Sequence, residues 1–307
     1  MARVNKPKSK KRPKPGDLIF SCFNYLIFGL LTFVCFFPFY YIFINTISSN
    51  DLVTRGLILW YPREIHFENY LQVLKIKALP NAVLVTLART VIGTALSVVC
   101  TSFVGYAIGK KELWLRKVWY RFFIITMYFN AGIIPWFINM KNLGLTDNFL
   151  AYIIAVISPF NLILVKTYIE SIPASLEESA EIDGAGYLTI FARILFPLCK
   201  PIVATITIFT AVTHWNSFMD TLMLMRDSKL YTLQFLLWQY LNEANSVANA
   251  LKSMSGTGNV VVNPVTQLTT TSVKMTISMI VVIPILLVYP FFQKFLIKGI
   301  MIGAVKG

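Results

Sequence analysis

Six stretches of this sequence stay apolar over 19 to 30 residues, at 18–47, 81–109, 122–140, 150–169, 201–224 and 272–293. Each is long enough to cross about 30 Å of hydrocarbon as a helix. Nothing else in the chain restricts its fold as strongly, because backbone polar groups inside a bilayer must be satisfied within the segment itself. Hydrophobic residues make up 56% of the chain and charged ones only 14%, with a mean hydropathy of +0.64. A soluble domain carries about 25% charged residues. The expectation is an all-α membrane protein with six transmembrane helices in one bundle. As a helix the first run measures about 45 Å, so it tilts or projects from the bilayer.

Lysine and arginine set the orientation. Seven lie in the tail 1–17, five in 110–121, two in 171–200 and three at the C-terminal end, against four, one and three in the alternate connections 48–80, 141–149 and 225–270. The positive-inside rule then puts both termini and the 171–200 loop in the cytoplasm. Three regions follow: a disordered basic tail over 1–17, a membrane domain over 18–297 and a cytoplasmic tail over 298–307. The densest part of the net charge of +14 is the Lys/Pro tail, which is too polar to fold and suits acidic lipid headgroups. A nucleic-acid partner is therefore not expected. The first run is too long, and lacks the small-residue site, for a cleaved signal peptide.

Little in the chain offers chemistry of its own. Cys22, Cys35, Cys100 and Cys199 form no CxxC and read as small apolar residues, so neither a disulfide nor a metal site is expected. Pro38, Pro135, Pro159, Pro284 and Pro290 fall inside apolar runs and predict kinks. Arg89, His214 and Asp220 read as scattered rather than as a proton relay, and Lys166 and Lys274 as snorkelling to the interface. The nearest approach to a nucleotide-binding loop, "GYAIGKK" at 105–111, has the wrong glycine spacing and ends an apolar run. No hydrolase or metalloprotease motif is present. Uphill transport by such a chain needs energy from a partner. In the fifth run His214, Trp215, Asn216 and Ser217 place rings, an amide and hydroxyls together, a set that suits sugar as well as it suits contacts between helices.

The 171–200 loop is unlike its neighbours. "LEESAEIDGAG" puts four acids within seven residues, Glu177 to Asp183, and ends on glycine. Ser175 and Glu178 have capping-box spacing, which predicts a helix from Leu176; Gly184 predicts its left-handed stop. Tyr187, Phe191, Ile194 and Leu198 then form the apolar stripe of a second helix. A rigid acidic elbow of this kind fits a groove in a soluble partner, or is a solvated connection that binds nothing.

The spacing E-A-A-x3-G-x9-I-x-L-P is the cytoplasmic signature of permease subunits of binding-protein-dependent ABC importers of the type I (MetI-like) fold. The chain resembles that family at Glu178, Ala180, Gly184, Ile194 and Pro197, and departs from the pattern at Ser179 and Phe196. "SSNDLVTRGLILWYPREIHFENYLQVL" and "WNSF" are similar to carbohydrate permeases, and "YFNAGIIPWFINMKNLGLTDN" and "VYPFFQKFLIKGIMIGAVKG" resemble the branch of Gram-positive bacteria that takes up lipo- or polysaccharide-derived oligosaccharides. The resemblance implies a permease in the plasma membrane, not an enzyme, that forms half of an oligosaccharide path with a second homologous permease. It implies a cytoplasmic ATPase dimer, which binds the ATP and magnesium, and an extracytoplasmic solute-binding protein. Glu177, Glu178, Ala180, Asp183, Gly184 and Ala185 are then the coupling residues. His214, Trp215, Asn216 and Ser217 are the path residues, while 231–251 is an outer helix offering Phe235, Trp238 and Tyr240 as contacts. A non-sugar cargo, an ion-coupled carrier and a scaffold remain open as rivals.

Overall fold

The computed structural model describes residues 15–76, 78–154, 157–242 and 269–304, and every regular element among them is helical. In chain order these are α1 (Pro15–Thr46), α2 (Asn50–Thr54), α3 (Glu68–Leu74), α4 (Ala78–Gly109), α5 (Arg116–Tyr128), α6 (Ile133–Asn142), α7 (Leu150–Ile153) and α8 (Pro159–Ile169). They continue as α9 (Ser175–Ile182), α10 (Tyr187–Leu198), α11 (Lys200–Asn216), α12 (Met219–Leu224), a helical run over 233–242 (α13) and α14 (Thr270–Ala304). Most of the basic tail lies outside the described residues. Helix α1 begins inside the expected tail, and α14 continues past 293, where the last span was expected to end, and past 297, the expected end of the membrane domain.

Among the described residues three helices are long and apolar enough to cross a membrane singly: α1, α4 and, over Thr271–Pro290, α14. The other apolar runs are broken, each for a local reason. Between α5 and α6 the chain bends by 118°, with Gly132 at φ +85° and its N–H held by Asn130 Oδ1 at 2.9 Å. Between α7 and α8 the residue before Pro159 is kept out of the helical region, and Ser158 caps the new helix by accepting from Asn161 N–H at 3.5 Å. The fifth run stops at Asn216, where Ser217 is extended, and restarts as α12. Of the five prolines in the apolar runs, Pro135 and Pro159 thus sit in first turns, where a missing N–H costs nothing, and Pro38, Pro284 and Pro290 lie inside helices.

Helix α4 is the hub, packed against α8 and α11, while α14 packs against α11 and α1. Its contact face is built from small residues, Gly93, Thr94, Ser97, Thr101 and Gly105, which let backbones approach where lipid supplies no hydrophobic drive. A Cβ on Gly105 would sit 3.1 Å from Val165 Cγ1 of α8. On Gly93 it would collide with the His214 ring of α11, 2.8 Å from Cε1. Below, α4, α8, α10 and α11 enclose Val98, Val165, Ile190, Leu195 and Ile206. Above, α4, α11, α13 and α14 enclose Leu79, Trp215, Leu233, Leu237 and Ile277. Cys199 is buried, but Cys22 and Cys35 stand on the exposed surface of α1 rather than in a core.

Candidate functional site

The acidic elbow forms, with changes of detail. Helix α9 starts at Ser175, one residue before the expected Leu176, and its first turn is closed by Pro173 and Ala174 carbonyls, which accept from Leu176 and from Glu177 and Glu178. The capping box is absent: Ala174 is the cap, already helical at φ −61°, so Ser175 is inside the helix. Pro173, with its fixed φ, opens the turn early. The stop is as expected. Gly184 has φ +83°, its N–H donates to Glu181 O at 3.0 Å, and Ala185 N–H donates to Ala180 O at 2.9 Å. Those two bonds are a Schellman motif, which satisfies carbonyls that a helix end otherwise leaves bare.

Helix α10 differs from the expected stripe because residues 190–195 are wound as a π-helix. Pro197 lacks the N–H that would bond Arg193 O, and its ring crowds that carbonyl, so the turn widens. Burial therefore follows a five-residue step, with Ile190 and Leu195 fully enclosed, while Tyr187 and Leu198 are exposed. Ala180 seats α9 on that same core.

The six residues assigned to coupling separate into two faces. Glu177 is turned inward and pairs with Lys110 at the end of α4; Glu181 lies 3.6 Å from the same ammonium. Lys110 also sits over the rings of Tyr106 and Tyr187, 5.1 Å and 5.4 Å from their centroids. Burial pulls the Lys110 ammonium down, but the Glu177 carboxylate outweighs it and holds the group above its usual range. Glu178, Asp183 and Gly184 are exposed, around an Ile182 that is 86% exposed. Nearby, Glu170 accepts from Arg116 and Lys166, both at 2.8 Å, and Lys166 lies over the Tyr120 ring at 4.4 Å. Lys166 is thus paired and buried instead of snorkelling, since α8 offers it an acid one turn on.

A second site opens between α4, α6, α8, α11 and α14: a cleft of about 820 Å³ lined by Trp136, Tyr152, Phe160, Phe209 and Tyr289, with Ser158, Asn161, Thr210 and Thr213 also in its wall. One wall is an ion pair. Arg89 donates from Nη1 to Asp220 Oδ1 at 3.2 Å and from Nη2 to Oδ2 at 2.5 Å; Nη1 also reaches Ser217 O at 3.3 Å. The break after α11 leaves that carbonyl without a helical partner, and the guanidinium supplies one. Ser217 Oγ and Thr221 N–H donate to Asp220 Oδ1, at 3.0 and 2.9 Å. The Arg89 guanidinium lies 4.4 Å over the Tyr152 ring, and Tyr152 in turn donates to Leu230 O at 2.8 Å. Arg89 and Asp220, read from the sequence as scattered, are partners.

The four expected path residues split likewise. His214 and Ser217 line the cleft. Trp215 points away into the core, donating to Val281 O at 3.2 Å, and Asn216 is exposed outside the lining. Successive residues of a helix face directions about 100° apart, so "HWNS" could not present all four to one space. Phe235, expected on an outer surface, is buried, and Trp238 is stacked between it and Phe218, 5.8 Å from each. Residues 243–251 of that segment lie outside the described residues. Missed from the sequence were Lys110, hidden in a basic cluster, and the aromatic lining, which four separate runs contribute.

Comparison with known proteins fits this geometry. Residues 101–302 match the family described as binding-protein-dependent transport system inner membrane component. The polygalacturonan/rhamnogalacturonan transport system permease protein YtcP of Bacillus subtilis (strain 168) is 35% identical over 93% of this chain and 98% of its own length. Protein LplC of the same organism is 33% identical over 94% of this chain and 95% of its own. A solved bacterial ABC transporter involved in the import of the acidic polysaccharide alginate contains a chain that superposes with a TM-score of 0.80, at 34% identity, over 93% of this chain and 99% of that one.

Proposed function

The chain belongs to the family of binding-protein-dependent transport system inner membrane components, and from that premise we propose how it carries its cargo. It is a permease subunit of an ABC importer in the cell membrane, a transport component rather than an enzyme. Its cargo is oligosaccharide, cut from a polysaccharide outside the cell. The relatives' pectic and alginate cargoes support this, as does the cleft: aromatic faces for sugar C–H surfaces, with hydroxyls and an amide in the same wall. Within our reading the six apolar runs are six passages, three of them bent, with both termini in the cytoplasm. The cleft is one half of the path, and a second homologous permease supplies the other. A solute-binding protein delivers cargo from outside, and a cytoplasmic ATPase dimer holds the ATP and magnesium.

The observation that carries the coupling role is the two-faced elbow. Its outer face offers Glu178, Asp183, Gly184 and the bare Ile182 side chain to a groove; its inner face grips α4 through Lys110. Force on α9 then passes to α4, whose Arg89 stands 21 residues away, about 31 Å along the helix axis, in the cleft wall. Closure of the ATPases rocks α4 and alternates the side to which the cleft opens. The test is Glu178→Lys in the assembled importer. Expected is normal membrane insertion with loss of ATPase co-purification or of transport per ATP hydrolysed; unchanged uptake at an unchanged ATP ratio sinks the coupling role. Cargo is tested by uptake of a panel of oligosaccharides with the cognate binding protein, and uptake confined to non-sugars sinks that part alone.

A further inference from the structure

The connection between α1 and α3 carries an apolar surface that neither the cleft nor the elbow uses. Leu57, Leu59, Trp60 and Tyr61 are 50 to 61% exposed, while Ile58 between them is fully buried against Ile44 and Val53. The stretch is held, not loose. Gly56 turns it at φ +70°, Tyr40 of α1 donates to Trp60 O at 2.8 Å, and the Trp60 ring lies 5.2 Å from that of Phe37. Arg63 donates to the Tyr61 hydroxyl at 2.7 Å and covers its ring at 5.0 Å. Behind it, Asn50 and Asn69 exchange amide hydrogen bonds at 2.8 and 2.9 Å, and Asn69 also reaches Thr46 O. So polar a knot, fully enclosed by protein, gives the segment a rigid base.

The length of α1 says where this stretch lies. Leu18 is the first residue after the basic tail, and the 20 residues from Leu18 to Phe37 span about 30 Å, the thickness of the hydrocarbon layer. Residues 16–36 of α1 are all left exposed by the rest of the chain, so its apolar surface is open to lipid along that length. The remaining Pro38–Thr46 projects beyond, about 13 Å, and the connection wraps around it. Phe37, and with it Trp60 and Tyr61, therefore falls at the far boundary of the hydrocarbon. Rings with a polar edge are favoured at that level, with an arginine just above them.

We infer that Leu57–Tyr61 is an interfacial anchor, seated in the headgroup–acyl boundary beside α1, whose occupant is lipid and not a protein partner. Continuity with the lipid-facing side of α1 argues for lipid; the inference rests on α1 crossing the bilayer, not on cargo or coupling. The anchor fixes the height of the 48–75 connection, which holds up α3 and the start of α4.

The test uses the complete importer in phosphatidylethanolamine–phosphatidylglycerol vesicles, with the Trp60 signal obtained as wild type minus Trp60→Phe. Expected is quenching of that signal by about twofold or more from a headgroup nitroxide and from bromine near the glycerol end of the acyl chains, and weak quenching from bromine near the methyl end. Leu57→Asp combined with Leu59→Asp should lower the melting temperature in vesicles and leave it unchanged in detergent. Trp60 fully quenched by aqueous iodide and untouched by lipid quenchers overturns the anchor. So does a Trp60 signal that responds only when the solute-binding protein is added, which marks a docking surface.

Discussion

Arg89 of α4 and Asp220 of α12, 131 residues apart in sequence, are joined by two parallel hydrogen bonds in a wall of the central cleft. Arg89 is only 2% exposed and Asp220 15%. The pair sets opposite, mutually cancelling charges in the wall of a mostly apolar cleft, and it fixes the break between α11 and α12 through the Ser217 carbonyl.

Removing one partner leaves the other buried and uncompensated, which costs about 3–5 kcal/mol. Asp220→Asn is therefore expected to lower the melting temperature of the purified permease and to abolish uptake. Combined with Arg89→Gln, much of the stability should return, because neither charge is then orphaned. Thermal unfolding of the two single variants and the double one measures the coupling; additive losses would falsify the pairing.

A side chain at Gly93 cannot be placed without moving its neighbour across the helix interface. A Cβ there would meet the His214 ring at 2.8 Å, so for Gly93→Ala to fold either the ring swings into the cleft it lines or α4 and α11 move apart. The expected loss is about 1–3 kcal/mol, as for overpacking generally. Trimming the obstacle with His214→Ala should rescue stability in the double variant. Unfolding midpoints of the three proteins decide it, and no rescue means that the contact is not the cause.

Much of this was legible in the sequence, and the limits are physical. Hydropathy finds apolar runs because hydrocarbon demands them, so α1, α4 and α14 appeared as whole helices. It does not see bends, since Gly132 and Ser217 change direction without changing polarity. The elbow was legible because Gly184 at a positive φ has a residue-level signature. The π-turn of α10 was not, because its cause, Pro197 acting on Arg193, looks in sequence like an ordinary helix end. Arg89 and Asp220 each read as an isolated charge, since pairing across 131 residues leaves no local trace.

Asp147 ties two connections together. Its carboxylate accepts from the backbone N–H groups of Arg226 and Asp227, at 2.5 and 3.0 Å, and those bonds lower its pKa. A lowered carboxylate contributes above its unfolded value of 3.8 and is lost only as pH falls through the folded one. The tether should hold throughout neutral and mildly acidic pH. Asp147 also has φ 52°, which asparagine tolerates better than alanine. Hydrogen exchange at Arg226 and Asp227 is expected to quicken in Asp147→Ala and to change little in Asp147→Asn; equal quickening in both overturns the tether.

Gly184→Ala places a side chain at φ +83°, where nothing lies within 4 Å of the new Cβ. The expected penalty is purely one of backbone strain, about 1–2 kcal/mol. A local cost of that size unwinds the last turn of α9 before it unfolds the protein. Transport per ATP should fall while the melting temperature stays within a few degrees. An Asn at the same position should recover part of the loss, being the side chain that best tolerates this conformation; Ala and Asn behaving alike counts against the strain account.

Lys110 offers the sharpest separation between stability and transmission. It joins α9 to α4 through Glu177 and Glu181, and its raised pKa means that the charge persists up to the pH at which lysine side chains in unfolded chains lose theirs, about 10.5, and beyond. The latch is therefore intact across neutral pH, and uptake should not vary through it there. Lys110→Met keeps the aliphatic stem over Tyr106 and Tyr187 but leaves two carboxylates facing each other without a cation. A hydrogen bond to a charged group contributes about 1.5–3 kcal/mol, so α9 should loosen from α4 while the bundle stays folded. The expected result is ATPase binding within twofold of normal, about 0.4 kcal/mol, with hydrolysis continuing and sugar uptake greatly reduced. Lys110→Arg should restore much of the uptake, as should adding Glu177→Gln and Glu181→Gln to Lys110→Met if repulsion is the main injury. Uptake measured per ATP hydrolysed in proteoliposomes separates the outcomes: an unchanged ratio in Lys110→Met removes Lys110 from the transmission path.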